Sequence, residues 1–293
     1  MNDRLASSYT VQSIFGLMSD HSLAWKIYGY DQEPLTRKNF PDTTNAPDTN
    51  FGPFNDFTAD AAAGTLPAYS FQEQSWGPTG NSEHPIYDVA LGELLIHDVY
   101  YALRGGPGWN QTLLIISYDE HGGCYDHVPP PSGATPPDDS PGEYGFDFTR
   151  FGVRVPAVLV SPLIAVGTVY RVPADTMPLD HTSVLKTVET RWGLPSLTRR
   201  DAAAPDVGGV LTLQAPRTDD PLAGVTVPVS SAANPAAAEV SHIQQINAQF
   251  TAALPVPTDQ LRSAAVLEEA ETPEKYDEYI KSRTATWKAA RPR

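Results

Sequence analysis

One dense run of side chains able to do chemistry stands out, Tyr118-Asp119-Glu120-His121-Gly122-Gly123-Cys124-Tyr125-Asp126-His127. Adjacent carboxylates such as Asp119 and Glu120 point to opposite faces of a regular strand, but where a strand gives way to a loop both can turn toward one point. There they are hard oxygen ligands for a divalent cation. Gly122 and Gly123 remove side-chain bulk and accept positive φ, so the backbone can pass close to a bound group. The plainer reading is a solvated acidic turn followed by a glycine bend. The buried strand expected before the run, the paired glycines and the histidines His121 and His127 favour a site, because titratable groups cluster at active sites.

His121, Cys124 and His127 also spell a His-x-x-Cys-x-x-His spacing open to zinc, although a structural zinc takes four protein ligands and no fourth is spaced to match. Cys124 as a nucleophile would need a lowered thiol pKa, for which the sequence offers no cause, so it reads as a small packing residue. His84, in Asn81-Ser-Glu-His-Pro85, lies on a loop ahead of a long helix, where a site-facing role and a plain loop histidine are equally open. His181, between Asp180 and Thr182 at a helix start, reads as part of an N-cap, with anion binding at the helix N-terminus as the alternative. His21, His97 and His242 are taken as structural or surface residues.

The elements that must position these groups follow from apolar periodicity. Leu113 to Tyr118 form a short continuous apolar run without alternation, which predicts a strand covered on both faces and ending at Asp119. Ligands in open α/β sheets bind at the carboxyl ends of strands, so position and chemistry agree. A helix precedes it, with Val89, Ile96, Val99 and Leu103 on one face and Gly105-Gly106-Pro107 as its stop. A second apolar run at residues 155–161 leads to a helix at 182–192, where Val184, Leu185, Val188 and Trp192 share a face and Gly193 ends it. The helix-and-strand alternation predicts an α/β sheet.

Upstream, Val11, Ile14, Phe15 and Met18 predict a short amphipathic helix, and residues 23–28 a strand. Residues 30–80 are rich in Pro, Asn, Asp and Gly and predict long irregular loops. Beyond residue 204 the composition shifts to Ala, Pro, Thr and Val. Helical periodicity returns there at Val240, Ile243, Ile246 and Phe250 and again at 268–287. The reading is a main domain over 1–204 and a partly helical C-terminal extension over 205–293.

The 293 residues are long enough to bury a core, and an apolar fraction of 41% with five Trp, thirteen Tyr and ten Phe belongs to a globular chain. A net charge of -15 opposes nucleic acid, because no counterion release would drive binding. A small phosphorylated ligand is not excluded, since a bound cation can reverse the potential within one pocket. A single cysteine rules out an intramolecular disulfide framework. No run approaches the roughly 18 apolar residues of a membrane span, and residues 1–10 show no signal-peptide core.

The stretch Leu114-Ile-Ile-Ser-Tyr-Asp-Glu-His-Gly-Gly-Cys-Tyr-Asp-His-Val-Pro-Pro-Pro131 closely resembles the signature of the phosphoesterase family that contains bacterial phospholipases C and acid phosphatases. Asp60-Ala-Ala-Ala-Gly-Thr-Leu-Pro67, Asn81-Ser-Glu-His-Pro85, Phe151-Gly-Val-Arg-Val-Pro156 and Asp180-His-Thr-Ser-Val-Leu-Lys-Thr-Val-Glu189 follow in that family's order. The resemblance implies an alkaline-phosphatase-like α/β/α sandwich and hydrolysis of a phosphorylated small molecule or phospholipid head group with a divalent metal ion and a hydroxyl nucleophile. It implies Asp119 and Glu120 at the metal and His84 at the phosphoryl group. His121, Gly122, Gly123, His127 and His181 would form a supporting shell. It also suggests an exported or periplasmic location.

Members of that family open on a strand and a Glu-Asn motif that binds metal, and a later segment supplies the Ser or Thr nucleophile. Neither is recognisable here. The expectation is therefore a sandwich incomplete at its N-terminus, with Ser7, Ser8 and Thr10 as hydroxyls lacking the motif context and the nucleophile unassigned.

Overall fold

A computed structural model describes residues 9–230, 234–256 and 271–291. The chain is mixed α/β and divides into two compact units, one of Met1–Ser19, Leu23–Gly106 and Gly224–Arg293, the other of Asp20–Ser22 and Pro107–Ala223. These units follow compactness, whereas a division at 204/205 follows composition.

In the first unit, helix α1 (Ile14–Asp20) leads to strand β1 (Trp25–Gly29), both where apolar spacing puts them. β1 is the centre of a three-stranded parallel sheet, flanked by β2 (Phe51–Pro53) and β3 (Tyr69–Glu73), with Ile27 in register with Phe51 and with Phe71. Between these strands lie α2 (Thr36–Asn39), α3 (Pro41–Asn45) and α4 (Phe54–Ala63). The expectation of irregular loops over 30–80 is thus corrected. Proline usually breaks a helix, but Pro41 occupies the first turn of α3, where a missing N–H costs nothing. α4 ends where Gly64 adopts φ 70°, and its Asp60 Oδ2 accepts from Lys26 Nζ at 3.0 Å and from the Tyr28 hydroxyl at 2.7 Å, tying helix to strand.

The long helix α5 (Val89–Gly105) starts at Asp88, whose carboxylate accepts from the Ala90 amide at 3.0 Å. In the second unit, β4 (Leu114–Ser117) pairs antiparallel with β5 (Ala157–Val160), Ile115 opposite Leu159. β4 is half-buried and Val158 on β5 is exposed, which corrects the expectation of a strand covered on both faces. A continuous apolar run signals double coverage only when neighbours flank the strand; here β5 is its one partner among the described residues. Helices α6 (Thr182–Trp192) and α7 (Arg199–Ala203) complete this unit, and Gly193 closes α6 at φ 64°.

The C-terminal helices α8 (His242–Ala252) and α9 (Pro273–Ala290) belong to the first unit. The fully buried Lys38 of α2 donates to Asn247 Oδ1 and Thr251 Oγ1 of α8, both at 2.8 Å, and burial lowers its ammonium to about 8. No helix among the described residues is long and apolar enough to cross a membrane.

Candidate active site

Asp119 and Glu120 follow β4 by one residue, at its carboxyl end, and both are exposed. Three tethers hold their loop. The Nε2–H of His181, at the start of α6, donates to the Tyr118 carbonyl at 2.8 Å, which fixes the imidazole tautomer because a carbonyl only accepts. The Gly122 amide donates to Glu120 Oε2 at 2.8 Å, and His121 Nδ1 lies 3.3 Å from the same oxygen. The Arg154 guanidinium grips Asp126 through two bonds of 2.8 Å, while Asp126 Oδ1 accepts from the Val128 amide at 3.0 Å. That fork holds the Asp126 carboxyl far below the usual carboxylate range. Arg154 was legible as part of the Phe151–Pro156 signature, but nothing in the sequence paired it with Asp126.

Gly122 and Gly123 both take positive φ, 63° and 71°, a conformation that disfavours any side chain. A Cβ on either would meet no atom of the chain within 4 Å, so within the protein itself it is the positive φ that favours glycine there. Cys124 is exposed, which corrects its reading as a packing residue; the turn that donates the Cys124 amide to the His121 carbonyl at 3.0 Å turns its thiol outward. His127 is exposed, with Nδ1 3.8 Å from Asp126 Oδ1. Among the described residues no three His, Cys, Asp or Glu side chains come together as a metal-holding group, so His121, Cys124 and His127 do not assemble the zinc set their spacing allowed. Asp119 and Glu120 alone likewise fall short of a full cation shell.

His181 is the N-cap residue of α6 but gives no capping bond; Asp180 Oδ1 instead accepts from the Thr182 amide at 2.8 Å. His84 belongs to the first unit and the carboxylates to the second. Its loop is built from buried polar residues: Asn81 Oδ1 accepts from the Ser75 amide at 2.7 Å, and Ser82 Oγ accepts from the His84 amide at 3.0 Å. The His84 ring Nδ1 faces the Pro85 carbonyl, and the residue is half-buried. Thr10 is exposed, and Ser7 and Ser8 lie outside the described residues.

A model of the Phosphoesterase family matches residues 1–195. The chain is similar to non-specific phospholipase C4 of Arabidopsis thaliana, 43% identical over 176 residues, covering 56% of this chain and 33% of the relative. Non-specific phospholipase C6 of the same plant is 44% identical over 183 residues, covering 57% and 34%. Phospholipase C B of Mycobacterium tuberculosis is 36% identical over 181 residues, covering 55% and 32%. The chain thus spans about a third of the length of these relatives.

Proposed function

Because this chain belongs to the phosphoesterase family, we propose that it serves the hydrolysis of phosphate esters, with a phospholipid head group or a phosphomonoester as substrate. The observation that carries this reading is the carboxylate pair Asp119 and Glu120 at the carboxyl end of β4, on a loop pinned by His181 and by the Arg154–Asp126 fork. In this reading the two carboxylates supply part of the oxygen shell of a divalent cation, which when bound polarises a phosphoryl oxygen and helps ionise a nucleophile. In this reading His84, whose Nδ1–H is turned to the Pro85 carbonyl, meets an equatorial phosphoryl oxygen through Nε2 and donates to it only as the doubly protonated imidazolium, where negative charge grows in the transition state. Gly122 and Gly123 shape the turn, and His121 and His127 stand beside the carboxylates as supporting groups. The parallel sheet of the first unit and the helices around it are consistent with a portion of an alkaline-phosphatase-like sandwich.

No hydroxyl is assigned as nucleophile within these residues. Without one the two-step route through a phosphoryl-enzyme is closed, so the 293-residue chain alone should hydrolyse little. A second reading, a non-catalytic cation- or partner-binding remnant of such an enzyme, is favoured by the want of a three-ligand group among the described residues.

The test is hydrolysis of p-nitrophenyl phosphate and p-nitrophenyl phosphorylcholine with Mg, Ca, Mn or Zn, alongside calorimetric cation titration, for the parent and Asp119→Ala. We expect a dissociation constant on the order of millimolar that weakens further in the variant, with turnover near background in both. Robust metal-dependent turnover that Asp119→Ala abolishes would establish a nucleophile within the chain and remove the remnant reading. Equal cation affinity in parent and variant would dismiss Asp119 as a ligand.

A further inference from the structure

Residues beyond the family match reach the loop that presents His84, and all of those involved lie in the first unit. Tyr87 is the pivot. Its amide donates to the His84 carbonyl at 2.9 Å, and its ring is buried in a cluster with Leu35, Trp76, Ala236 and Phe250. Ile86 packs against the same cluster, as do Ile243 and Ile246 of α8. The loop is therefore clamped on the C-terminal segment immediately after His84.

The hydroxyl directions in this clamp are fixed. The Tyr87 oxygen lies 2.6 Å from the Trp76 carbonyl and 2.8 Å from Ser241 Oγ. A carbonyl cannot donate, so Tyr87 gives its one proton to Trp76 and must accept from the Ser241 hydroxyl. Ser241 Oγ in turn accepts from the Gln244 amide at 3.1 Å, as the N-cap of α8. Each hydroxyl spends its single proton once, and all of these groups are buried, so breaking one bond strands a polar atom away from water.

We propose that Tyr87 and Ser241 are positioning residues for His84, making the cap of α8 part of the support of the candidate site; this rests on the reading of His84 as the histidine that meets the phosphoryl group. A loop histidine must lose its freedom before a substrate arrives, because misplacement by about 1 Å can cost on the order of a hundredfold in rate. Burial of the Tyr87 ring sets its depth, and the two hydroxyl bonds set the rotation of the backbone that carries His84.

The experiment uses the full chain with Tyr87→Phe, Ser241→Ala and Ser241→Thr. Tyr87→Phe removes the bridge and keeps the cap, Ser241→Ala removes both, and Ser241→Thr keeps both. Amide hydrogen exchange is followed across residues 82–87 and along α9, and the His84 ring signal is titrated by NMR with inorganic phosphate in the presence of Mg. We expect exchange at His84 and Tyr87 to quicken about tenfold in Tyr87→Phe and Ser241→Ala, with α9 unchanged, and Ser241→Thr to match the parent. Unchanged exchange at 82–87 in both disrupting variants overturns the proposal, as does Ser241→Thr exchanging as fast as Ser241→Ala. If exchange behaves as expected but phosphate leaves the parent His84 signal unmoved, the role given to His84 under Proposed function fails while the clamp on its loop stands.

Discussion

Arg37→Ala should lower the stability of the chain by about 3 to 5 kcal/mol, seen as a large fall in the urea midpoint. Arg37 is fully buried although it sits on the four-residue helix α2. Its guanidinium pairs with Glu33 and donates to Asp48 Oδ1 at 2.5 Å, while its face lies 4.0 Å from the Phe51 ring and 4.8 Å from the Trp287 ring of α9. Removing the side chain empties a buried site packed against two aromatic rings. The charge loss is the smaller part, because Lys288 still reaches Glu33 at 2.8 Å and Arg291 still lies 3.4 Å from Asp48. Packing therefore decides the outcome, and Arg37→Lys, which keeps the charge without the planar face, should recover less than about half of the loss. Full recovery by lysine would show that the site needs only a charge.

Glu189→Gln should abolish a pH dependence that the parent shows between about pH 4.5 and 7. In the second unit Glu189 on α6 and Asp201 on α7 are buried, and the turn between the helices serves both. Glu189 Oε2 accepts from the Ser196 hydroxyl at 2.8 Å, and Asp201 accepts from the amides of Leu197 at 2.7 Å and Thr198 at 2.8 Å and from the Thr198 hydroxyl. Glu189 Oε1 finds no donor, which is expected if its neighbour is the other carboxylate and the pair shares one proton. Burial, then Asp201, pushes the Glu189 carboxyl up to about 7. Burial would also raise Asp201, but bonds from Glu189 and Thr198 hold it below its usual range, so the shared proton resides on Glu189.

The sign follows. In the folded chain Glu189 keeps its proton up to about pH 7, while in the unfolded chain it is lost near 4.5. Its stabilisation is fully present below the unfolded value and is lost as pH rises through the folded one. The change amounts to roughly 3 kcal/mol across the window. Lys38 acts oppositely but only above about 8, and so leaves this interval alone. Glutamine keeps the shape, accepts from Ser196 and offers a permanent N–H to Asp201. Melting curves of the parent at pH 5 and pH 7.5 should differ by several degrees more than those of Glu189→Gln. Parallel pH profiles for the two proteins would eliminate the shared proton.

How much of this was legible beforehand depended on the range of the interactions concerned. α1, β1, α5, α6 and α8 were readable from apolar spacing, and the end of α6 from Gly193, because helix period, strand length and positive φ are properties of a few consecutive residues. The run Tyr118–His127 was readable as a candidate site for the same reason, since its carboxylates, glycines and histidines are neighbours in the chain. The short elements between residues 30 and 80 were not readable. Four-residue α2 and three-residue β2 have no period to detect, and bonds from distant groups such as Glu73, whose carboxylate accepts from the Thr36 amide at 3.0 Å, hold that region in shape.

The sequence by itself determined the chemistry offered by this chain and its family, because signature residues carry their chemical types wherever the fold puts them. Only the tertiary structure decided what holds those residues. Arg154 lies 28 positions from Asp126, His181 lies 63 from Tyr118, and Ser241 lies 154 from Tyr87. Partners so far apart meet because burying apolar surface brings their elements together, and no local pattern of residues records which distant donor will face which acceptor.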